Sequence, residues 1–206
     1  MKLINPSVEL ITDIDGVAVL RHIEHATRVC YDSNDKVNEN SHTVLLSKIL
    51  ESAHESVIEH ASVSVKIKCS RACHNQIVRH RLFSYSARSQ RFCNFTRTDK
   101  YPDGVEFITP MDYHKWTTEQ QFLFCQAMES CEKFYISLST SGLKPQVARN
   151  ALNNAVMVEM VMTGNLRLWR DFLKKRRTKK AQDEIRFLAT EIGAILQSKI
   201  PIIFDT

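Results

Sequence analysis

The stretch "ASVSVKIKCSRACHNQIVRHRLFSYSARSQRF", Ala61 to Phe92, changes character twice. In its first part Val63, Val65 and Ile67 alternate with Ser62, Ser64, Lys66 and Lys68. A period of two puts the apolar set on one face, which predicts a strand with one side buried. Ser70 then stands where a helix N-cap is expected, and "RACHNQIVRHR" reads as a helix running to Arg81 and ending in basic side chains, the favourable sign at a helix C-terminus. Residues three or four apart share a helix face, so this reading sets Gln76 beside Arg79 and His80 and fans Arg79, His80 and Arg81 around the helix end. Such a fan can grip several oxygens of one polyanion or touch two ligands. Composition alone favours a solvated helix end that merely complements the dipole.

The third part shifts that balance. Ser84, Ser86 and Ser89 offer small hydroxyl donors, and an irregular chain there leaves backbone N–H groups available to an anion. Arg91 adds a bidentate fork. A nucleic-acid surface also combines arginine with aromatics, but is usually extended and rich in lysine, whereas arginine, histidine and serine dominate this compact segment.

Outward from this stretch, "PSVELIT" (6–12) reads as a short strand and "DGVAVLRHIEHATRVCY" as a helix. "TVLLSKILESAHESVIEH" (43–60) is helical in pattern, and its last residue, His60, reads by default as a satisfied boundary histidine. "DGVEFITP" predicts a turn and a strand stopped by Pro110. A long amphipathic helix is expected from Thr117 to about Thr140, then helices over about Pro145 to Thr163 and Leu166 to Lys174, and a C-terminal helix closed by Pro201. A second basic group comprises Arg149 and "GNLRLWRDFLKKRRTKK" (164–180), for which a solvated helix face is the plain reading. No Gly-rich phosphate loop or dinucleotide fingerprint occurs.

The 206 residues are 43% hydrophobic and 25% charged with 5 Gly and 5 Pro, the balance of a folded and fairly helical chain. A formal charge of +5 favours anionic partners without choosing between polymers and metabolites. Neither a signal peptide nor a membrane span is read, so a cytoplasmic protein without a membrane partner is expected. Six cysteines without a CxxC pair point to reduced thiols rather than to disulfides or a zinc site, and no metal is expected.

"RHRLFSYSARS" fits an RHR-x7-S signature, Arg79-His80-Arg81 with Ser89 after seven residues; "SVIEH" lies ahead of it and "TGNLRLWRDFLKKR" and "AQDEIRFLA" after it. On these four blocks the chain resembles the flavin-dependent thymidylate synthases from about residue 8 to Pro201. The resemblance implies an α+β fold, a sheet flanked by helices, as a single domain over residues 1–206. It implies a homotetramer with active sites where subunits meet, and no nucleic-acid partner. The activity it implies is that of a flavoprotein methyltransferase of nucleotide biosynthesis, converting dUMP to dTMP with FAD as cofactor and NADPH and methylenetetrahydrofolate as co-substrates.

Carried over by position, the resemblance places FAD near His60, Ser62, Arg79, His80, Arg81, Asn165, Leu166, Arg167 and Asp171. It places dUMP near Gln76, Ile77, Val78, Arg79, the segment Ala87, Arg88, Ser89, Gln90 and Arg91, and near Arg149 and Arg176. Arg176 is the expected catalytic residue, because a cation against the N3–C4 edge of uracil stabilises charge developing in the ring. Ser89 has no evident base, so a phosphate or ring contact is the more economical role for it than attack. Four positions depart from the family pattern: alanine at 87, phenylalanine at 92, Asn153 in place of a proline, and Asp171 where Asn or His is common. An aspartate beside a polyanionic cofactor is unfavourable unless it faces an arginine. Two alternatives stay open, a flavin-dependent dUMP hydroxymethylase and, from another class, a non-catalytic nucleic-acid-binding protein whose affinity would fall steeply with salt.

Overall fold

A computed structural model describes residues 1–205; Thr206, the last residue of the expected domain, lies outside the described residues. The fold is α+β, with sheets flanked by helices. In chain order the elements are β1 (Lys2–Ile4), β2 (Ser7–Leu10), α1 (Gly16–Val29), α2 (Ser41–Glu51), β3 (Ser62–Ser70), α3 (Arg71–Ile77), β4 (Ser84–Ala87) and β5 (Glu106–Ile108). There follow α4 (Thr118–Thr140), α5 (Pro145–Ala148), β6 (Met157–Asn165), α6 (Leu166–Arg176), α7 (Asp183–Lys199) and α8 (Pro201–Phe204). One sheet has the order β2-β3-β6-β4, and β1 pairs in parallel with β5, Leu3 opposite Phe107. No described helix is long and apolar enough to cross a membrane.

The chain forms two compact units interleaved in sequence. The first takes Met1–Ser7, Ile67–Arg79 and Ser86–Met160; the second takes Val8–Lys66, His80–Tyr85 and the described residues from Val161 onward. The first unit is built on α4, whose N-terminus is closed by a capping box in which Thr117 and Gln120 bond reciprocally. Its buried face presents Met128 and Tyr135 to Phe95, Val105, Phe107, Ala148 and Val156. The Tyr135 hydroxyl is kept inside this apolar cluster by accepting the Phe95 backbone N–H at 3.2 Å.

In the second unit the alternation read at Val63 and Val65 is realised: both are buried, and the Ser64 hydroxyl between them bonds that of Thr163 at 2.7 Å. The amphipathic α6 buries Leu166, Trp169, Phe172 and Leu173. The indole N–H of Trp169 donates to the Val63 carbonyl at 3.1 Å, so a large apolar ring enters the core with its one polar atom satisfied. Phe83 stacks edge-on against Trp169 with centroids 4.8 Å apart.

Several sequence expectations are corrected. The helix expected over about 145–163 is a short α5, a turn and then strand β6. Asn153 Oδ1 accepts the Ala155 N–H at 2.9 Å, which turns the chain out of the helix. From there Val158, Met160, Met162 and Gly164 are buried in strict alternation, a period of two that methionine's helical preference obscures. The helix expected to reach Arg81 ends at Ile77, though Ser70 is its N-cap and accepts the Cys73 N–H at 3.1 Å. Arg79, His80 and Arg81 therefore lie beyond the helix instead of fanning around its end, and Gln76 shares no helix face with them. The chain turns there because Phe83 is drawn inward, its N–H bonding the His80 carbonyl at 3.2 Å. The irregular serine-rich stretch contains β4, and the helix read through His60 stops at Glu51, residues Glu55–His60 forming a separate 3-10 turn.

Gly164 sits where a Cβ would overlap the Phe83 ring. Gly164→Ala should cost about 1–3 kcal/mol by overpacking, lowering Tm by roughly 2–4 °C per kcal/mol. Trimming the ring with Phe83→Leu in that background should recover part of the loss; a calorimetric melt of the three proteins checks this.

Candidate active site

In the second unit α6 sets most of the candidate side chains. Asn165 is its N-cap, the side chain accepting the Leu168 N–H at 2.9 Å, and the Leu166 N–H is taken by the Ala61 carbonyl at 3.0 Å. The helix thus starts at a fixed point on the chain beside His60 and Ser62, both of which are exposed. Leu166 points into the core and is fully buried. Arg167, one position on, is exposed and donates to Glu59 at 2.6 Å, and this carboxylate holds its guanidinium more firmly protonated than usual. Arg170 is paired with Glu55 at 3.1 Å, and Asp171 with Lys175 at 2.7 Å. Asp171 therefore faces a lysine, not an arginine.

Arg176, in the last turn, donates through Nε to His80 Nε2 at 2.9 Å. The imidazole lies edge-on to Phe172 at 4.9 Å between centroids. Burial, then the Arg176 charge, lowers the His80 pKa from its usual value, against a smaller opposing pull from Asp171. The Tyr85 hydroxyl donates to the His80 carbonyl at 2.8 Å, and burial pushes that phenol up to about 12, so it remains a donor. A cleft of about 860 Å³ lies within this unit, its lining combining apolar Leu82, Leu168 and Phe204, cationic Arg167, Arg170, Lys174 and Arg177, and the carboxylates of Glu55, Glu59 and Asp171.

The first unit carries the rest. Arg79 and Arg149 have no side-chain partner among the described residues, and neither does Arg81 in the second unit. Ile77 is buried, Val78 caps α3 at its C-terminus, and Gln76 is half-buried. Ala87, at the end of β4, is exposed and offers only backbone. Arg88 is committed within the protein: its guanidinium pairs with Glu159 at 3.1 Å and Glu106 at 3.6 Å, and its N–H bonds the Glu159 carbonyl at 2.8 Å. Ser89 begins a tight turn, its carbonyl accepting from Phe92 and Cys93 and its hydroxyl accepting the Arg91 N–H at 3.3 Å. Gln90 is buried and accepts from Arg71 at 2.8 Å. Arg91 bonds Gln146 at 3.1 Å and lies 5.1 Å over the ring of exposed Phe92.

The residues expected around FAD thus fall in the second unit apart from Arg79, and those expected around dUMP in the first apart from Arg176. Sequence reasoning missed Glu55 and Glu59. Their signal lay in "ESVIEH", where only the histidine was read; the 3-10 turn presents both carboxylates to the arginines of α6.

The profile of the family described as "Thymidylate synthase complementing protein" matches residues 15–202. A flavin-dependent thymidylate synthase of Mycolicibacterium gilvum is 36% identical over 210 residues, covering 97% of this chain and 83% of the relative. One from Geobacter sulfurreducens is 34% identical over 202 residues, covering 91% and 84%. The chain belongs to the flavin-dependent thymidylate synthase family. Among solved structures, a UMP/dUMP methylase from Streptomyces cacaoi bound with 5-Br dUMP superposes with a TM-score of 0.80 over 100% of this chain and 96% of that one. At 22% identity this is a likeness of fold.

In this synthase-family chain Asn165 already has a structural duty. Asn165→Ala should lower stability by about 0.5–2 kcal/mol through the lost cap, while Asn165→Asp, an equally good cap, should melt like the parent. Denaturant unfolding of the two variants tests the assignment.

Proposed function

We propose that the chain catalyses the reductive methylation of dUMP to dTMP, taking the one-carbon unit from methylenetetrahydrofolate and using FAD and NADPH for reduction. The observation that carries this reading is the RHR-x7-S segment Arg79–Ser89, whose histidine is bonded to the late basic residue Arg176, in a chain about a third identical to flavin-dependent thymidylate synthases over nearly its whole length.

The residues present suit the cofactor chemically. The cleft in the second unit is lined by apolar side chains, on which a flat ring system can pack, and by four cations that can meet a diphosphate, two of them paired with Glu55 and Glu59, with Asp171 as a further carboxylate. Arg167 and Lys174 would hold its phosphates, with Glu59 releasing Arg167 to them. When bound, the flavin supplies the hydride that no amino-acid side chain can.

For dUMP, Arg79 and Arg149 offer uncommitted guanidinium forks to a phosphate, and the Ser89 turn adds a hydroxyl and backbone donors. Arg88 is held by two carboxylates, so its share is through the backbone. Arg176 would face the N3–C4 edge of the pyrimidine and stabilise the negative charge that develops as C5 attacks the one-carbon unit. Ser89 and the six free cysteines are given no nucleophilic part. We further propose assembly as a homotetramer whose active sites draw on more than one subunit.

Product mass after incubation with dUMP, methylenetetrahydrofolate, FAD and NADPH tests the reading. The expected product is dTMP; a hydroxymethyl product would replace methylation by hydroxymethylation, and unchanged dUMP would overturn both. Arg176→Ala should leave folding intact and lower kcat by about 10²–10³-fold, the size typical of a lost charge-stabilising donor.

A further inference from the structure

We propose that His80 is a positioning residue for Arg176, its neutral imidazole holding the guanidinium through Nε2 so that protonation of the ring releases it. The inference rests on the role given to Arg176 above. Arginine is always charged and only donates, so in the 2.9 Å contact between Arg176 Nε and His80 Nε2 the imidazole must be the acceptor. Only a ring without a proton on Nε2 can accept, which selects the neutral form protonated on Nδ1.

The imidazole is fixed independently of the arginine. Its backbone carbonyl accepts from the Tyr85 hydroxyl at 2.8 Å and the Phe83 N–H at 3.2 Å. Its ring meets Phe172 edge-on at 4.9 Å and Phe83 at 6.5 Å. Phe172 is fully buried and precedes Arg176 by four residues, so the same face of α6 that seats the ring also delivers the guanidinium. The bond uses the inner edge of the guanidinium, Nε. That bond helps set the direction of its outer fork, Nη1 and Nη2, by removing rotamer freedom from a long side chain.

The charged groups acting on the ring among the described residues are Arg176, Lys175 and Asp171, all from α6; Tyr85 is the titratable neighbour in its own segment. Lys175 and Asp171 pair with each other at 2.7 Å and largely cancel, which leaves Arg176 as the charge that matters. An imidazolium would lose the acceptor and set two cations face to face. Since burial and Arg176 depress the folded-state pKa below the ordinary 6.5, the aligned state is complete at neutral pH and is lost as pH falls through that depressed value.

The test compares wild type, His80→Gln, His80→Ala, Arg176→Ala and the His80→Ala/Arg176→Ala double variant, all loaded with saturating FAD. kcat is followed from neutral to acid pH and dUMP affinity is measured on the same proteins. His80→Ala should lower kcat roughly ten- to a hundredfold, the scale of one hydrogen bond to a charged group. His80→Gln, which keeps an acceptor but cannot titrate, should lower kcat less than His80→Ala does and lose the acid limb below 6.5. The double variant should be no worse than Arg176→Ala alone in either readout. Additive losses, or an unchanged acid limb in His80→Gln, would overturn the positioning role while leaving the methylation reading intact. A wild type that forms no product overturns the reading on which the role rests.

Discussion

The second unit is organised by one contact, the seating of Trp169 against the sheet with its indole N–H on the Val63 carbonyl. A fully buried indole needs both a partner for nitrogen and a close-packed surround. Phe83 and Phe172 provide the surround edge-on, and Gly164 provides the space Phe83 requires. This packing sets the rotation of α6 about its axis. With Trp169, Phe172 and Leu173 inward, Arg167, Arg170, Lys174 and Arg177 face the cleft, and Arg176 meets the imidazole that Phe83 anchors. The basic character of α6 alone does not achieve this; the apolar stripe aims the charges.

The charges themselves divide into committed and available sets. Arg88, Arg167 and Arg170 each pair with glutamates, and Lys175 with Asp171. The exposed Arg167–Glu59 and Lys175–Asp171 pairs contribute little to stability, whereas Arg88, half-buried between Glu106 and Glu159, and Arg170, bonded to Glu55 and the Ile203 carbonyl, are held in place. Arg79 and Arg149 have no side-chain partner among the described residues. The net charge of +5 therefore understates how selectively cationic surface is offered.

The departures from the family pattern acquire physical meaning in this setting. Asp171 is neutralised by Lys175 one turn later. Asn153, where the resemblance leads one to expect a proline, ends the preceding helical turn through its side-chain oxygen, which accepts the Ala155 N–H. Phe92, where the resemblance leads one to expect tyrosine, supplies an exposed ring under the Arg91 guanidinium. Ala87 can act only through its backbone.

The sequence by itself determined the strand at Val63 and Val65, the Ser70 cap, the long α4 and, through the collinear motifs, the family, because these signals reside in near neighbours along the chain. It misread β6, where Met157, Met160 and Met162 suit helix and strand alike, and it carried α3 four residues too far. Only the tertiary structure decided those points, since the alternation in β6 is defined by what covers each face and the end of α3 by the burial of Phe83. The meeting of His80 with Arg176, 96 residues apart, was invisible for the same reason. Local periodicity specifies which face is apolar, but which side chains meet depends on how those faces pack.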